Sequence, residues 1–216
     1  MEVCLSFDNG PEPEATPLVL AALGRRGLTA TFFPIARKLR DPARRALAER
    51  ALAEGHRIGN HTLTHGAPLG LRGGAEAVAE ITEAEALLGP LNAGRLFRPN
   101  GGGGALGPHL LNASALRHLR AQAYTVVLWN AVPGDFRDPE GWPATALAQC
   151  RAASAPVLMV LHDLPNGAMR HLDAVLDRLT GEGARFLGEF PEACLALREG
   201  APLCDLAAIS REDIAP

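Results

Sequence analysis

Short apolar runs alternate with longer amphipathic segments along most of this chain. The apolar runs are rich in β-branched and aromatic residues, as buried strands are. They cover residues 3–5, 29–35, 57–60, 96–98, 124–129, 156–161 and 184–187. Residues with helical spacing lie between them, at 13–26, 41–55, 74–88, 114–122, 142–153 and 171–182. Because strands and helices alternate, the sequence predicts βα units, a mostly parallel sheet and a single α/β domain.

Two segments carry more specific expectations. The helix at 74–88 has one apolar side, and its glutamates Glu76, Glu80 and Glu83 are predicted to face solvent. The residues after 187 are predicted to form a short helix and a tail that contains proline. No repeat or linker interrupts the chain, so the domain is expected to span all of it.

Composition and charge narrow the class of protein. The 216 residues are 47% hydrophobic, enough to bury one substantial core. The formal net charge is −3 and the basic residues are scattered, so nucleic acid is not an expected partner. No apolar run reaches the length of a membrane span. The oligomeric state is left open.

The N-terminus and the cysteines indicate a compartment. The chain runs directly into its first strand, without the charged and apolar segments of a signal peptide. The cysteines have neither paired nor zinc-like spacing; they are Cys4, Cys150, Cys194 and Cys204. We therefore predict reduced, mostly buried thiols in a cytoplasmic protein.

Polar residues follow several of the predicted strands at the point where each strand ends. In chain order they are Asp8, Asn9, Arg98, Asp135 and His162. The carboxyl ends of parallel strands share one rim, where ligands and catalytic groups collect. A turn or a helix cap explains any one of these residues alone. Five of them on one rim predict a functional site.

Two histidines near the end of the third predicted strand indicate a metal. His61 and His65 are spaced i and i+4, which brings both imidazoles to one face of a helical turn. Surface or capping histidines produce the same spacing. The position of this pair, on the same rim as Asp8, favours a shared divalent metal.

With these residues in place, the chain resembles the polysaccharide deacetylase family, the NodB-homology domain of carbohydrate esterase family 4. The resemblance spans nearly the whole chain and implies a deformed (β/α)7-type barrel. The stretch SFDNGP aligns with the family's motif T-F-D-D-G-P, which implies that Asp8 is the general base and that Asn9 takes the place of a metal-binding aspartate. His61 and His65 match the motif H-[ST]-x-x-H, which implies that both bind metal.

Three further motifs complete the resemblance. Arg98 falls on an R-x-P-like motif and is implied to orient the base. Asp135 matches the second aspartate of D-x-x-D-W, which tunes the acid, and His162 matches the histidine of L-x-H-D, the general acid. The resemblance also implies a set of substrate-binding residues, namely Pro99, Asn100, Gly101, Phe136, Val160 and Leu161.

The chain departs from the family's pattern at four positions. Asn9 replaces the metal-binding aspartate, Val132 and Phe136 replace the first aspartate and the tryptophan of D-x-x-D-W, and Gly101 stands where a tyrosine is usual. An asparagine oxygen binds metal without a negative charge, so metal affinity should fall. Asp8 could supply that charge, as a ligand or as a neighbour of one. The glycine run at 101–104 is expected to shape or open the substrate groove.

The reaction that the resemblance implies is removal of an N-acetyl group from an amino sugar by metal-activated water, with zinc as the expected metal. Two alternatives stay open. A metal-independent amidohydrolase of the same fold, similar to allantoinase, would act on a small amide. A carbohydrate-binding relative would have lost catalysis. The substrate is therefore a carbohydrate or a small amide, and the group that carries the acyl chain is left open.

Overall fold

A computed structural model describes residues 1–213 of the chain and shows an α/β barrel. Its strands are β1 (Glu2–Asp8), β2 (Thr31–Phe33), β3 (Arg57–Ile58), β4 (Leu96–Phe97), β5 (Leu111–Asn112), β6 (Thr125–Val127), β7 (Val157–His162), β8 (Arg185–Leu187), β9 (Leu195–Arg198), β10 (Ala201–Pro202) and β11 (Ser210–Arg211). Its α-helices are α1 (Thr16–Gly24), α2 (Pro42–Ala53), α3 (Gly74–Leu88), α4 (Ala113–Ala121), α5 (Trp142–Ala152) and α6 (Leu172–Gly181).

Parallel pairing dominates the sheets. One sheet has the order β3, β2, β1, β7, with β8 also paired to β1. A second sheet has the order β10, β9, β6, β4, in which β4 and β6 are parallel. Isolated bridges from Asn60 to Phe97 and from Ala131 to Met159 join the two sheets on either side. The barrel closes through these two bridges, and the expectation of a mostly parallel α/β fold is confirmed.

Strand alternation divides the core into an outer and an inner part. On β1, Val3, Leu5 and Phe7 point outward into the largest apolar cluster, which α1, α2, α5 and α6 complete. Cys4 points inward and packs with Leu158 of β7 in a separate interior cluster. Because side chains alternate along a strand, the inward series continues to Asp8 on β1 and to His162 on β7. The strand pattern therefore delivers polar groups to the rim of the barrel.

The C-terminal region differs from the prediction. The residues after 187 form β9, β10 and β11 with short 3₁₀ turns, whereas a short helix was expected. Strand β9 pairs antiparallel with β6 and so extends the second sheet, whereas β11 pairs with β5 in a separate two-stranded sheet. The prediction was wrong because short strands that gain their partners from distant residues leave little local pattern. The last three residues of the predicted tail lie outside the described residues.

Two further expectations can be compared with the structure. Cys4, Cys150 and Cys194 are buried free thiols, while Cys204 is exposed, as expected for mostly buried cysteines. Within residues 1–213, no helix combines the length and the apolar composition needed to cross a bilayer. The cytoplasmic location and the extent of the domain stay predictions.

Candidate active site

The rim formed by the carboxyl ends of the strands encloses a cavity of about 300 Å³. We call it the catalytic cavity. Ten of the predicted site residues line it, and these are Asp8, Asn9, His61, His65, Pro99, Asn100, Gly101, Phe136, Val160 and His162. Arg98 and Asp135 lie beneath it and contact the lining residues. The structure therefore brings together side chains that are up to 154 positions apart in the chain.

Asp8 is held by a buried arginine. Its Oδ1 atom accepts a hydrogen bond of 2.8 Å from Nη1 of Arg98, which also donates to Ser6 Oγ at 2.7 Å. Burial raises the pKa of the Asp8 carboxyl, but the charge of Arg98, assisted by that of His162, outweighs burial and lowers it. The carboxylate is therefore ionised and fixed in orientation at neutral pH.

Arg98 itself is completely buried. Its guanidinium lies 4.2 Å from the centroid of the Phe33 ring and also donates to the carbonyls of Val127 and Leu128. A buried cation is tolerated only when its donors are satisfied and its charge is paired. Arg98 meets both conditions by crossing the barrel from β4 to Asp8 on β1.

The two histidines lie in a loop, and the predicted helical turn is wrong. Thr62 and His65 have φ angles of 67° and 53°, left-handed conformations that end any regular helix. The loop nevertheless brings the imidazoles of His61 and His65 together, with ring centroids 4.8 Å apart. Burial lowers the pKa of both, that of His65 to about 3, so both rings are neutral and available as ligands.

The tautomer of His61 follows from its partner. Its Nδ1 atom lies 2.8 Å from the carbonyl oxygen of Arg98, which can only accept, so Nδ1 carries the proton. The lone pair of Nε2 then faces the catalytic cavity, 3.6 Å from Oδ2 of Asp8. A main-chain carbonyl on the far nitrogen is a common way to orient a metal-binding histidine.

Glu80 holds this histidine loop, although its position on α3 predicted exposure. Its side chain is 8% exposed, with Oε2 accepting from Thr64 N at 2.9 Å and Oε1 accepting from Thr64 Oγ1 at 2.6 Å. Its carbonyl accepts from Leu63 N. Arg72 lies 3.3 Å from the same carboxylate. The polar side of α3 therefore supports the loop, and the prediction that Glu80 faces solvent was wrong.

Asn9 supplies an unpartnered oxygen. The residue has a φ of 75°, and its buried Oδ1 atom has no hydrogen-bond partner among the described residues. Within residues 1–213 no group of three His, Cys, Asp or Glu side chains could hold a metal. Two neutral imidazoles and one amide oxygen are nevertheless a donor set that divalent transition metals accept. Asn9, His61 and His65 fit a metal site, one without a charged ligand.

His162 is supported from below by Asp135. The two side chains meet at 2.9 Å, from Nδ1 to Oδ1, and the other carboxylate oxygen accepts from His162 N at 2.7 Å. Burial lowers the pKa of His162, but the hydrogen bond and charge of Asp135 outweigh burial and raise it. The ring of Phe136 lies edge-on to His162, 4.8 Å between centroids. His162 therefore faces the catalytic cavity, and its Nε2 atom has no hydrogen-bond partner within residues 1–213.

Leu161 lies elsewhere than expected, and Asp163 of the same motif has a structural role. Leu161 is completely buried in the outer apolar cluster, because side chains alternate along β7 and Val160 takes the inward position. Leu161 is therefore not a substrate-binding residue. Asp163 accepts from Gly10 N at 2.9 Å and from Thr16 Oγ1 at 2.6 Å, so it fixes the turn after Asp8. Burial raises the pKa of Asp163 to about 7.

Trp129 is the main site residue that sequence reasoning missed. It lines the catalytic cavity, and its indole Nε1 donates to the carbonyl of Gly104 at 2.7 Å. A Cβ atom at Gly101 would lie 2.6 Å from the indole ring. The glycine found where the family usually has a tyrosine is therefore required by Trp129. The position of Trp129 at the end of the strand predicted at 124–129 is the sequence feature that indicates a place at the rim.

Asn100 lines the cavity but uses its own polar atoms within the protein. Its Nδ2 donates to the carbonyl of Gly66, and its Oδ1 accepts from Gly102 N at 3.0 Å. The side chain joins the histidine loop to the glycine run. It therefore shapes the cavity, and its amide is not free for substrate.

The α/β barrel carries at its rim the carboxylate of Asp8, the pair His61 and His65, and a histidine, His162, that is bonded to a buried aspartate. This combination indicates a hydrolase. The sequence profile described as polysaccharide deacetylase matches residues 1–125. The chain is 29% identical over 205 residues to a peptidoglycan-N-acetylglucosamine deacetylase of Bacillus cereus, covering 86% of this chain and 84% of that protein. It is 33% identical over 175 residues to a chitooligosaccharide deacetylase of Sinorhizobium fredii, covering 80% and 77%. The chain belongs to the polysaccharide deacetylase family.

Solved structures show the same fold. The Bc1960 peptidoglycan N-acetylglucosamine deacetylase superposes with a TM-score of 0.72 at 26% identity, covering 86% of this chain and 85% of that one. A family 4 acetyl xylan esterase from Clostridium thermocellum superposes with a TM-score of 0.69 at 21% identity, covering 87% of each chain, and its structure contains a cobalt ion. The resemblance stated from the sequence motifs is confirmed.

Proposed function

We propose that this protein is a metal-dependent deacetylase that removes the N-acetyl group of an amino sugar within an oligosaccharide or polysaccharide. One observation carries the proposal. Asp8 and His162 are register partners on the adjacent strands β1 and β7, each supported by an oppositely charged partner, and both line one cavity with the two histidines. A base and an acid on the same side of one cavity are what amide hydrolysis requires. The named relatives are carbohydrate deacetylases, which supports the same substrate class.

Asn9, His61 and His65 would hold the metal, which we propose to be a divalent ion such as zinc. When bound, such an ion polarises the amide carbonyl and makes a water molecule more acidic. The unpartnered Oδ1 of Asn9 and the lone pair on Nε2 of His61 support this assignment. Because no ligand is charged, Asp8 provides the nearest negative charge, 3.6 Å from His61.

The remaining steps belong to side chains of this chain. Asp8 takes a proton from water, and Arg98 keeps it ionised for that purpose. His162 donates a proton to the departing nitrogen, which is a poor leaving group without one. Asp135 keeps His162 protonated and turns its Nε2 atom toward the cavity. Phe136 and Val160 provide an apolar wall for the acetyl methyl group.

The neutrality of Asn9 favours one other candidate, a hydrolase of small amides that works without metal. The two candidates predict opposite effects of a chelator on activity. We would assay acetate release from N-acetylated chitooligosaccharides and ring opening of small cyclic amides, each before and after treatment with a chelator, together with metal analysis of the purified protein.

Variants test the assigned roles. His162→Ala and the nearly isosteric Asp8→Asn are expected to lose activity while the circular dichroism spectra keep the wild-type shape at low temperature, although Asp8→Asn leaves the charge of Arg98 unpaired and should lower Tm. His171→Ala is the matched control, since that histidine lies at the surface and pairs with Glu140. Full activity in both site variants would end the proposal. Activity on small amides that persists in chelator would favour the metal-free candidate.

A further inference from the structure

A second cavity lies beside the catalytic one. We call it the outer cavity, and its volume is about 380 Å³. The residues that matter here are Gly103, Gly104, Leu106, Trp129, Arg137 and Gln149. Gly103, Gly104, Trp129 and Val132 also line the catalytic cavity, so they form the wall between the two. A substrate that extends beyond the catalytic cavity across this wall enters the outer cavity.

The two glycines add no side chain to this wall. Gly103 and Gly104 have φ angles of 118° and 95°, which L side chains rarely adopt. Trp129 holds the backbone of the wall in place through the hydrogen bond that its indole donates to the carbonyl of Gly104. No side chain from residues 101–104 therefore projects into the path between the cavities.

Arg137 brings a positive charge to this path. Its Nη2 atom lies 3.4 Å from the carbonyl of Gly103, and its guanidinium carbon lies 4.8 Å from the centroid of the Phe136 ring. The side chain is exposed, and no carboxylate within residues 1–213 lies at ion-pair distance from it. No acidic side chain lines the outer cavity. Among the residues that the structure describes, the outer cavity thus presents one cation without a counter-charge.

We propose that the outer cavity binds a carboxylate carried by the sugar unit next to the N-acetylated one, with Arg137 as its partner. A guanidinium matches a carboxylate with two parallel hydrogen bonds. Leu106, which is 49% exposed, and the edge of Trp129 offer apolar surface to the carbon–hydrogen face of the same sugar. The proposal rests on the proposed function, which places the N-acetylated unit in the catalytic cavity. It makes an acidic glycan a better ligand than a neutral one.

Two disaccharides form the test, because they differ by one carboxylate-bearing ether group. One joins N-acetylglucosamine to N-acetylmuramic acid, and the other is N,N′-diacetylchitobiose. Calorimetry at low ionic strength gives the ratio of their dissociation constants, and acetate release is measured separately. We expect the wild-type protein to bind the acidic disaccharide about fivefold more tightly, as a partly exposed ion pair does. The preference should shrink as salt is added.

Variants decide the role of Arg137. In Arg137→Gln and Arg137→Ala the binding ratio should fall to about one. Arg120→Ala is the matched control, since it removes an exposed arginine on α4 that lines neither cavity and should keep the wild-type ratio. Equal binding of the two disaccharides, no binding of either, or a preference that survives in Arg137→Gln overturns the proposal. If the preference depends on Arg137 but no acetate is released, the proposed function fails and the binding site stands.

Discussion

Replacing Glu80 tests whether the polar side of α3 positions the histidine loop. In Glu80→Ala, Thr64 loses two hydrogen bonds to a charged acceptor. Such bonds contribute about 1.5–3 kcal/mol each. Water can reach half-buried Thr64 and replace part of that energy, so we expect a loss of about 3 kcal/mol in the free energy of unfolding. For a chain of this length, this corresponds to a fall of about 6–12 °C in Tm.

Thermal and urea unfolding followed by circular dichroism measure this loss. Glu80→Gln keeps an acceptor for Thr64 N and a donor for its hydroxyl, so its loss should be about 1 kcal/mol. Glu83→Ala on the same helix is the control, because Glu83 is exposed. If Glu80→Ala and Glu83→Ala unfold at the same temperature, Glu80 does not hold the loop. A second readout is the histidine NMR spectrum, in which the His65 signals should broaden or shift in Glu80→Ala alone.

Three other predictions concern the groups around the catalytic cavity. Asn9→Asp adds a negative charge to the metal site and should raise the affinity for Zn²⁺ at least about tenfold by calorimetry; unchanged affinity would place the metal elsewhere. Asp135→Asn removes the charge that raises the pKa of His162, so the alkaline limb of the profile of kcat/KM against pH should move to lower pH; an unmoved limb would exclude His162 as the acid. Asp163 has a raised pKa in the folded protein, so its stabilising contribution is complete below its ordinary pKa of 3.8 and is lost as pH rises through about 7. The free energy of unfolding by urea should therefore be larger at pH 5 than at pH 8 by at most about 3 kcal/mol on its account, and this difference should disappear in Asp163→Asn.

The strand pattern predicted the parallel α/β fold and the rim that carries most of the candidate site for one physical reason, whereas the barrel was implied by the resemblance to the family. The composition of a segment predicts a buried strand, and side chains along a strand alternate strictly between its two faces. The apolar runs at 156–161 and 3–5 therefore predict, without any knowledge of contacts, that His162 and Asp8 lie at the same rim. The helix predicted at 74–88 has the bounds Gly74–Leu88 in the structure, since a long periodic segment carries many independent signals.

What the sequence could not show depends on contacts between distant segments. Helical periodicity assigns Glu80 to the polar side of α3 but says nothing of the loop that covers that side. The spacing of His61 and His65 fits a helical turn, and only the left-handed Thr62 and His65 reveal that a loop achieves the same proximity. Leu161 was assigned by its neighbour in a motif, while the strand's alternation sends it to the outer core.

The guanidinium of Arg98 contributes both to folding and to the proposed chemistry. Its charge is neutralised in the barrel interior by Asp8, so the removal of either partner would strand an ion inside the protein. Natural selection for a foldable chain would thus preserve this pair even in a descendant that no longer cut any bond. Asn9 is not part of this ion pair, so folding does not constrain it in the same way. A substitution at position 9 can therefore alter the metal site without breaking the buried ion pair between positions 8 and 98.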